Sequence, residues 1–251
     1  MKLPNKLFGI EAEEAYKRCL KEPKKPQVPI QAPVNINNQE SYIILPERSH
    51  GTYSYPDLLV SMEKIHFDNN WYQAHEELNK ENAFMLTIRQ YIDFINLLKS
   101  GDAFNEKGNK VHKNKLDSIL DEILTVRDPW RAEWLDAKFN KISKGLLKGS
   151  EWIINYHTIN NGSLIPLKLE LLEDCLMTDK LPGINLDYWL KNATKQGLPP
   201  SNTPTGDLWY WHPIDEAVAG FCAGSIGVSL SCYGNPLSSD ASLGVRPARK
   251  K

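Results

Sequence analysis

The chain reads as an α+β protein on three observations. Two capping-box sequences each open an amphipathic helical run, an Asn-Gly turn joins two β-rich runs, and the last forty residues alternate apolar and small residues in short strands. Length and composition agree: 251 residues, 41% hydrophobic and 24% charged, are enough for one large domain, with or without an appendage.

Taken in order, Glu11 to Leu20 has the spacing of a short amphipathic helix, and Lys21 to Asn38, rich in Pro and Lys, reads as an extended tether. Residues 1–39 are therefore expected to form an N-terminal helix and tether, and residues 40–251 the globular domain. Tyr42-Ile-Ile-Leu-Pro46 fits a first strand, and Asp57 to Phe67 is assigned to strand because a helix start follows at Asn69-Asn70. Asn70 with Gln73 forms the first capping box, before a helix over Trp71 to Glu81. Thr87 with Gln90 forms the second. Ile88, Tyr91, Ile92, Ile95 and Leu98 then recur at helical spacing up to a stop at Gly101.

Lys115 to Thr125 predicts a further helix that ends before Asp128-Pro129, and Trp130 to Trp134 a compact aromatic segment. Glu151–His157 and Ser163–Lys168 predict a hairpin through Asn160-Asn-Gly162. Pro182 to Thr205 reads as loop with one short helix near Asp187 to Ala193. Strand after strand follows, with turns at His212–Glu216 and Tyr233–Asp240. No internal repeat stands out.

The totals exclude several classes. A formal charge of −1 gives no reason to expect nucleic acid or anionic lipid as a partner. No apolar run approaches the roughly 20 residues of a spanning helix, and the N-terminus does not resemble a secretory signal. The default expectation is a cytoplasmic protein, with surface display by another route left open. The four cysteines, Cys19, Cys175, Cys222 and Cys232, show no Cys-x-x-Cys spacing, so reduced thiols are expected, and a Cys222–Cys232 pair stays open.

Motifs for chemistry are absent. His75-Glu-Glu-Leu-Asn79 lacks the second histidine of a zinc helix, so His75 is expected on the helix surface. There is no phosphate loop, calcium loop or Gly-x-Ser-x-Gly elbow, and Glu173-Asp174 points apart as sequence neighbours do. No metal or cofactor is expected, and no catalytic set can be assembled.

Trp71, Trp130, Trp134, Trp152 and Trp189 are assigned to the core, whereas Trp209 and Trp211 should share one face of a strand with Tyr210 on the other. The same period-2 argument sends Val228, Leu230 and Cys232 inward and Ser229, Ser231 and Tyr233 outward. Phe221 becomes a core anchor, which leaves Gly220 and Cys222 facing out.

Trp71-x-x-Ala74, Met85-Leu-Thr87 and Phe94 resemble the first two helices of the C-type lectin fold and its formylglycine-generating relatives, and Leu243-Gly-Val-Arg-Pro-Ala-Arg249 resembles its closing strand. Trp209-Tyr-Trp211, Val218-Ala-Gly-Phe221 and Leu243-Gly-Val-Arg246 resemble, more specifically, the variable proteins of archaeal diversity-generating retroelements. The resemblance implies two main helices packed on antiparallel sheets, and a variable region over residues 206–251. It also implies a non-enzymatic ligand-binding protein whose C-terminal surface is rewritten by adenine-directed mutagenic reverse transcription.

Asn codons mutated at both adenines cannot reach Lys, Glu, Gln, Met or Trp. None of these occurs from Ala217 to Ala248, although together they make up roughly a fifth of the chain. Carried over by position, the implied ligand-binding, variable residues are His212, Ile214, Asp215, Gly220, Cys222, Gly224, Ile226, Ser229, Ser231, Tyr233, Gly234, Asn235 and Leu237. Glu216 departs from the pattern, and the Glu-Pro-Asn and Gln-Pro-Asp calcium motifs of sugar-binding lectins are absent. The implied partner is a protein or cell-surface ligand, bound by a monomer. Two alternatives stay open: a phage or prophage attachment protein of the same fold, and an oxidase of the formylglycine-generating type using Cys222 and Cys232.

Overall fold

A computed structural model of the chain describes residues 41–143, 150–225 and 227–251. The expected N-terminal helix and tether lie outside the described residues, as does Ile226. The first half holds β1 (Tyr42–Leu45), β2 (Arg48–His50), β3 (Tyr53–Tyr55), β4 (Leu58–Ser61), α1 (Trp71–Lys80), β5 (Phe84–Met85), α2 (Ile88–Ser100) and α3 (Lys113–Leu124). The second holds β6 (Arg131–Ser143), β7 (Ser150–Asn160), β8 (Ser163–Leu171), β9 (Lys180–Ile184), α4 (Leu186–Asn192), β10 (Leu208–Trp211), β11 (Val218–Gly224), β12 (Gly227–Gly234), β13 (Leu243–Gly244) and β14 (Pro247–Lys250). The class is α+β.

The large sheet runs β8-β7-β6-β11-β12-β10-β9, with β13 beside β6, while β1-β4-β14-β5 form a smaller sheet and β2-β3 a separate hairpin. The expected antiparallel sheets need a correction: β10 pairs with β12 in parallel, as β13 does with β6. Strand β10 can lie beside β12 rather than β11 because the 212–217 loop carries the chain past one strand.

Both capping boxes form. Asn70 Oδ1 accepts from the Gln73 amide and Gln73 Oε1 from the Asn70 amide, each at 3.0 Å. Thr87 and Gln90 make the same exchange at α2, which Gly101 ends at φ 69°. The Asn161-Gly162 turn between β7 and β8 holds both central residues at positive φ, which Asn and Gly tolerate best.

Apolar layers cover both faces of the large sheet. On one face Tyr91, Phe94 and Ile95 of α2 share a core with Leu135, Phe139, Ile154, Tyr210, Phe221 and Leu230. On the other, Trp71, Ala74 and Leu78 of α1 pack with Trp134, Val218, Leu243 and Val245. Of the tryptophans assigned to the core, Trp71, Trp134 and Trp189 are buried, and Trp130 and Trp152 partly so.

Three expectations change. The aromatic segment at Trp130–Trp134 is the start of β6, a central strand of 13 residues. Its alternation is disguised because buried positions carry charge: Glu133 is fully buried and Asp136 nearly so. Lys180 to Ile184 is a strand despite Pro182, which is tolerated because β9 ends the sheet. His75 is not on the surface. It follows Trp71 by one helical turn, lies on the buried face of α1, and is 5% exposed.

Candidate ligand-binding face

The C-terminal strands present one face that packing leaves partly open. In β10, Leu208 and Tyr210 are buried and Trp209 and Trp211 are not. In β12, Leu230 and Cys232 are fully buried, whereas Ser229, Ser231 and Tyr233 are partly exposed. The parallel register sets Trp209 beside Ser229 and Trp211 beside Ser231. On the other flank, β11 sets Cys222 beside Ser229 and Gly220 beside Ser231.

Three rings line this face. The Trp211 ring lies 5.0 Å from that of Tyr233 at 82° and 6.2 Å from that of Trp209 at 63°, both edge-to-face. The Trp209 indole lies against Gly227, whose φ of 144° is open to glycine but not to other residues; a Cβ there would stand 3.2 Å from Nε1. Behind the rings the sheet is rigidly backed. Tyr210 donates to the Leu176 carbonyl at 2.9 Å, and burial drives its hydroxyl well above the usual tyrosine range. Burial likewise raises the Cys232 thiol.

The expected site residues fall into distinct groups. Ser229, Ser231, Tyr233 and Cys222 share the partly open face. His212, at the end of β10, holds Asp179 through Nδ1 at 2.7 Å and its amide at 3.0 Å. Ile214 is 43% exposed and Leu237 69% exposed, both on loops. Asn235 is exposed, and its Oδ1 accepts from the Leu237 amide at 2.9 Å, which shapes the turn. Ile226 lies outside the described residues.

Gly220 and Gly234 need correction as free positions. Gly220 is buried, with Trp134 of β6 over it, so it does not face out. A Cβ on Gly234 would stand 2.9 Å from the Val218 carbonyl oxygen and 3.2 Å from Trp134 Cζ3. At Gly224 the nearest atom is the Trp130 Cβ, at 3.3 Å. Packing, not a ligand, sets Gly220 and Gly234, and nothing local marks Trp134 as the residue above them, whereas Gly224 is partly exposed.

Asp215 and Glu216 anchor the preceding loop. Asp215 Oδ1 accepts from the Lys141 amide at 2.8 Å. Glu216, in the left-handed region at φ 62°, pairs with Lys138 at 2.8 Å and accepts from Asn140. A structural role for Glu216 accords with its departure from the variable codon pattern.

The cysteine pair considered for oxidase chemistry is not brought together. Cys222 shares the side of Ser229, and Cys232 the side of Leu230, so the two thiols point through opposite faces of the sheet. Among the described residues no set of three or more His, Cys, Asp or Glu side chains is placed to hold a metal ion. No helix among them is long and apolar enough to cross a membrane.

Two buried polar clusters escaped the sequence reading. His75 and His157 both approach Asp136 Oδ1, at 3.6 and 3.2 Å, beneath the Trp71 ring. On the opposite face, Tyr55 and Arg89 donate to Asp93 at 2.6 and 2.7 Å, and His50 meets it at 2.8 Å. Each joins segments far apart in the chain, so no local pattern announces it. No protein-family model, curated protein or solved structure matches the chain.

Proposed function

We propose that this chain is a non-enzymatic ligand-binding protein of C-type lectin type, and that the β10–β12 face with its flanking loops is its binding surface, diversified by a retroelement. The observation that carries the reading is the division of these strands into two faces. One is fixed by packing through Tyr210, Phe221, Leu230 and Cys232; the other offers Trp209, Trp211, Ser229, Ser231 and Tyr233.

A scaffold of this kind tolerates change on its open face, because surface substitutions typically alter stability by no more than about ±0.5 kcal/mol. The aromatic rings supply rigid contact area and the serines adaptable hydrogen bonds, the mixture found in binding loops that accept many targets. The lectin-type fold is supported by α1 and α2 flanking the sheet and by β14 lying beside β4 and β5, so that the end of the chain returns to its first half. The lack of Lys, Glu, Gln, Met and Trp between Ala217 and Ala248 supports the mutational mechanism.

The test is genomic and then biochemical. Sequencing around the gene should find a near-copy of its 3′ end beside a reverse transcriptase gene, differing mainly at adenines. A locus with no such repeat overturns the retroelement reading. A display library randomised at Ser229, Ser231 and Tyr233 should yield folded binders to unrelated protein targets. A library that mostly fails to fold overturns the tolerant face.

A further inference from the structure

Trp209 and Trp211 form one flank of the open face. Both are partly exposed, their rings meet edge to face at 6.2 Å, and the parallel register puts a serine beside each, Ser229 and Ser231. Across the serines lie Cys222 and Gly220 of β11, so small residues floor the face next to the two indoles. Tyr233 stands at one end, its ring 5.0 Å from that of Trp211. The flank is held from behind, because Leu208 and Tyr210, which alternate with the tryptophans, are buried. Gly227, at the start of β12, lets the chain lie against the Trp209 indole, where a Cβ would stand 3.2 Å from Nε1.

This step of two large rings over small residues suits an apolar group. None of the side chains that share the face, from Trp209 and Trp211 to Ser229, Ser231, Tyr233 and Cys222, carries a charge. Covering them with an apolar group therefore strands no buried ion. Tryptophan is enriched among the few residues that carry most of the energy of protein–protein interfaces, and near-neutral neighbours around such residues serve to exclude water.

The two indoles also differ from their neighbours in what mutation can do to them. Asn codons changed at their adenines reach Ser, Tyr and Cys, the residues at 229, 231, 233 and 222, but never Trp. The tryptophan codon, TGG, itself offers no adenine to change. Resting on the retroelement reading of this face, we propose that Trp209 and Trp211 are a constant anchor common to all variants of the chain. The anchor takes an apolar side chain that projects from a protein partner, while positions 222, 229, 231 and 233 select among partners.

Affinity and specificity then fall to different residues of one face. The tryptophans supply binding energy in every complex, and the residues beside them discriminate by fit, hydrogen bonding or clash. A rewritten surface thus starts from a weak general affinity, and each new set of neighbours tunes it.

The test displays the full chain with Ser229, Ser231 and Tyr233 randomised and selects it separately on several unrelated folded proteins. Each binder then receives Trp209→Ser, Trp211→Ser and Trp211→Phe, with affinity and melting temperature measured for all. Both serine variants should lose about tenfold or more in affinity in every binder, and the phenylalanine variant less, since it keeps a ring. Exchanging the randomised residues between two binders should exchange their targets. Binders that keep their affinity without the two indoles overturn the anchor and leave the diversified face standing. A library that yields no binders overturns both. If the serine variants fail to fold, fluorotryptophan NMR of the intact binders decides: Trp209 and Trp211 signals that do not move on adding target overturn the anchor. Binding that is lost when the targets are deglycosylated overturns the apolar side chain as the occupant.

Discussion

Arg246 and Glu133 form a fully buried, two-pronged ion pair, Nε to Oε2 at 3.1 Å and Nη2 to Oε1 at 2.9 Å. The pair ties the approach to the last strand, β14, to the start of β6. Arg246 also donates to Glu122 and to the Ser61 carbonyl, both at 3.0 Å, and lies over the Phe94 ring. Burial, the largest single influence, would raise the Glu133 carboxyl, but the Arg246 guanidinium together with Arg131 and Lys64 holds the group below the usual carboxylate range.

Breaking this pair should be expensive. Arg246→Met leaves the Glu133 charge buried beside fewer partners, at a cost of about 3–5 kcal/mol. Arg246→Lys should recover only part of that, since an ammonium cannot reproduce the forked contact. Urea denaturation of the three proteins measures the order. A methionine variant as stable as the parent refutes it.

The glycines and serines of the candidate face should separate by stability. Gly234→Ala forces a Cβ against the Val218 carbonyl and the Trp134 ring and should cost on the order of 2 kcal/mol. Ser229→Ala and Ser231→Ala should stay within about 0.5 kcal/mol of the parent. Thermal unfolding of the three variants decides the matter, and equal losses would remove the distinction between packed and open positions.

The opposite face of the same strands should behave as core. Phe221 lies against Tyr91 and Trp189, with ring centroids 5.3 and 6.3 Å away. Phe221→Ala should cost about 3–5 kcal/mol and Leu230→Ala about 2–5 kcal/mol. Chemical denaturation provides both values, and a loss below 1 kcal/mol at either site contradicts the assignment.

Acid should act through His75. Burial, with a smaller contribution from the nearby His157, lowers its pKa to about 4 against the opposing pull of Asp136. A histidine whose folded pKa is depressed binds fewer protons folded than unfolded. Stability therefore falls as pH drops from about 6.5 toward 4, by about 3 kcal/mol in full. Melting temperatures across that range should fall less steeply for His75→Gln than for the parent. Parallel curves would show that the loss arises elsewhere.

Local pattern reaches far into this fold. Both capping boxes, the helix stop at Gly101, the Asn161-Gly162 turn and the two-faced alternation of β10 and β12 follow from residues a few positions apart, because side-chain caps, positive-φ preferences and strand periodicity act over that distance. The open residues Ser229, Ser231 and Tyr233 were legible for the same reason. What lay beyond reach was set by contacts across the chain. Glu133 and Asp136 make β6 look polar until Arg246 and His157 arrive to neutralise and hydrogen-bond them. His75 looks exposed until β6 and β7 close over α1. Gly220 and Gly234 look free until Trp134 covers them. Periodicity says which way a side chain points; only the assembled sheet says what meets it there, since burial and charge compensation depend on residues brought together by folding rather than by sequence.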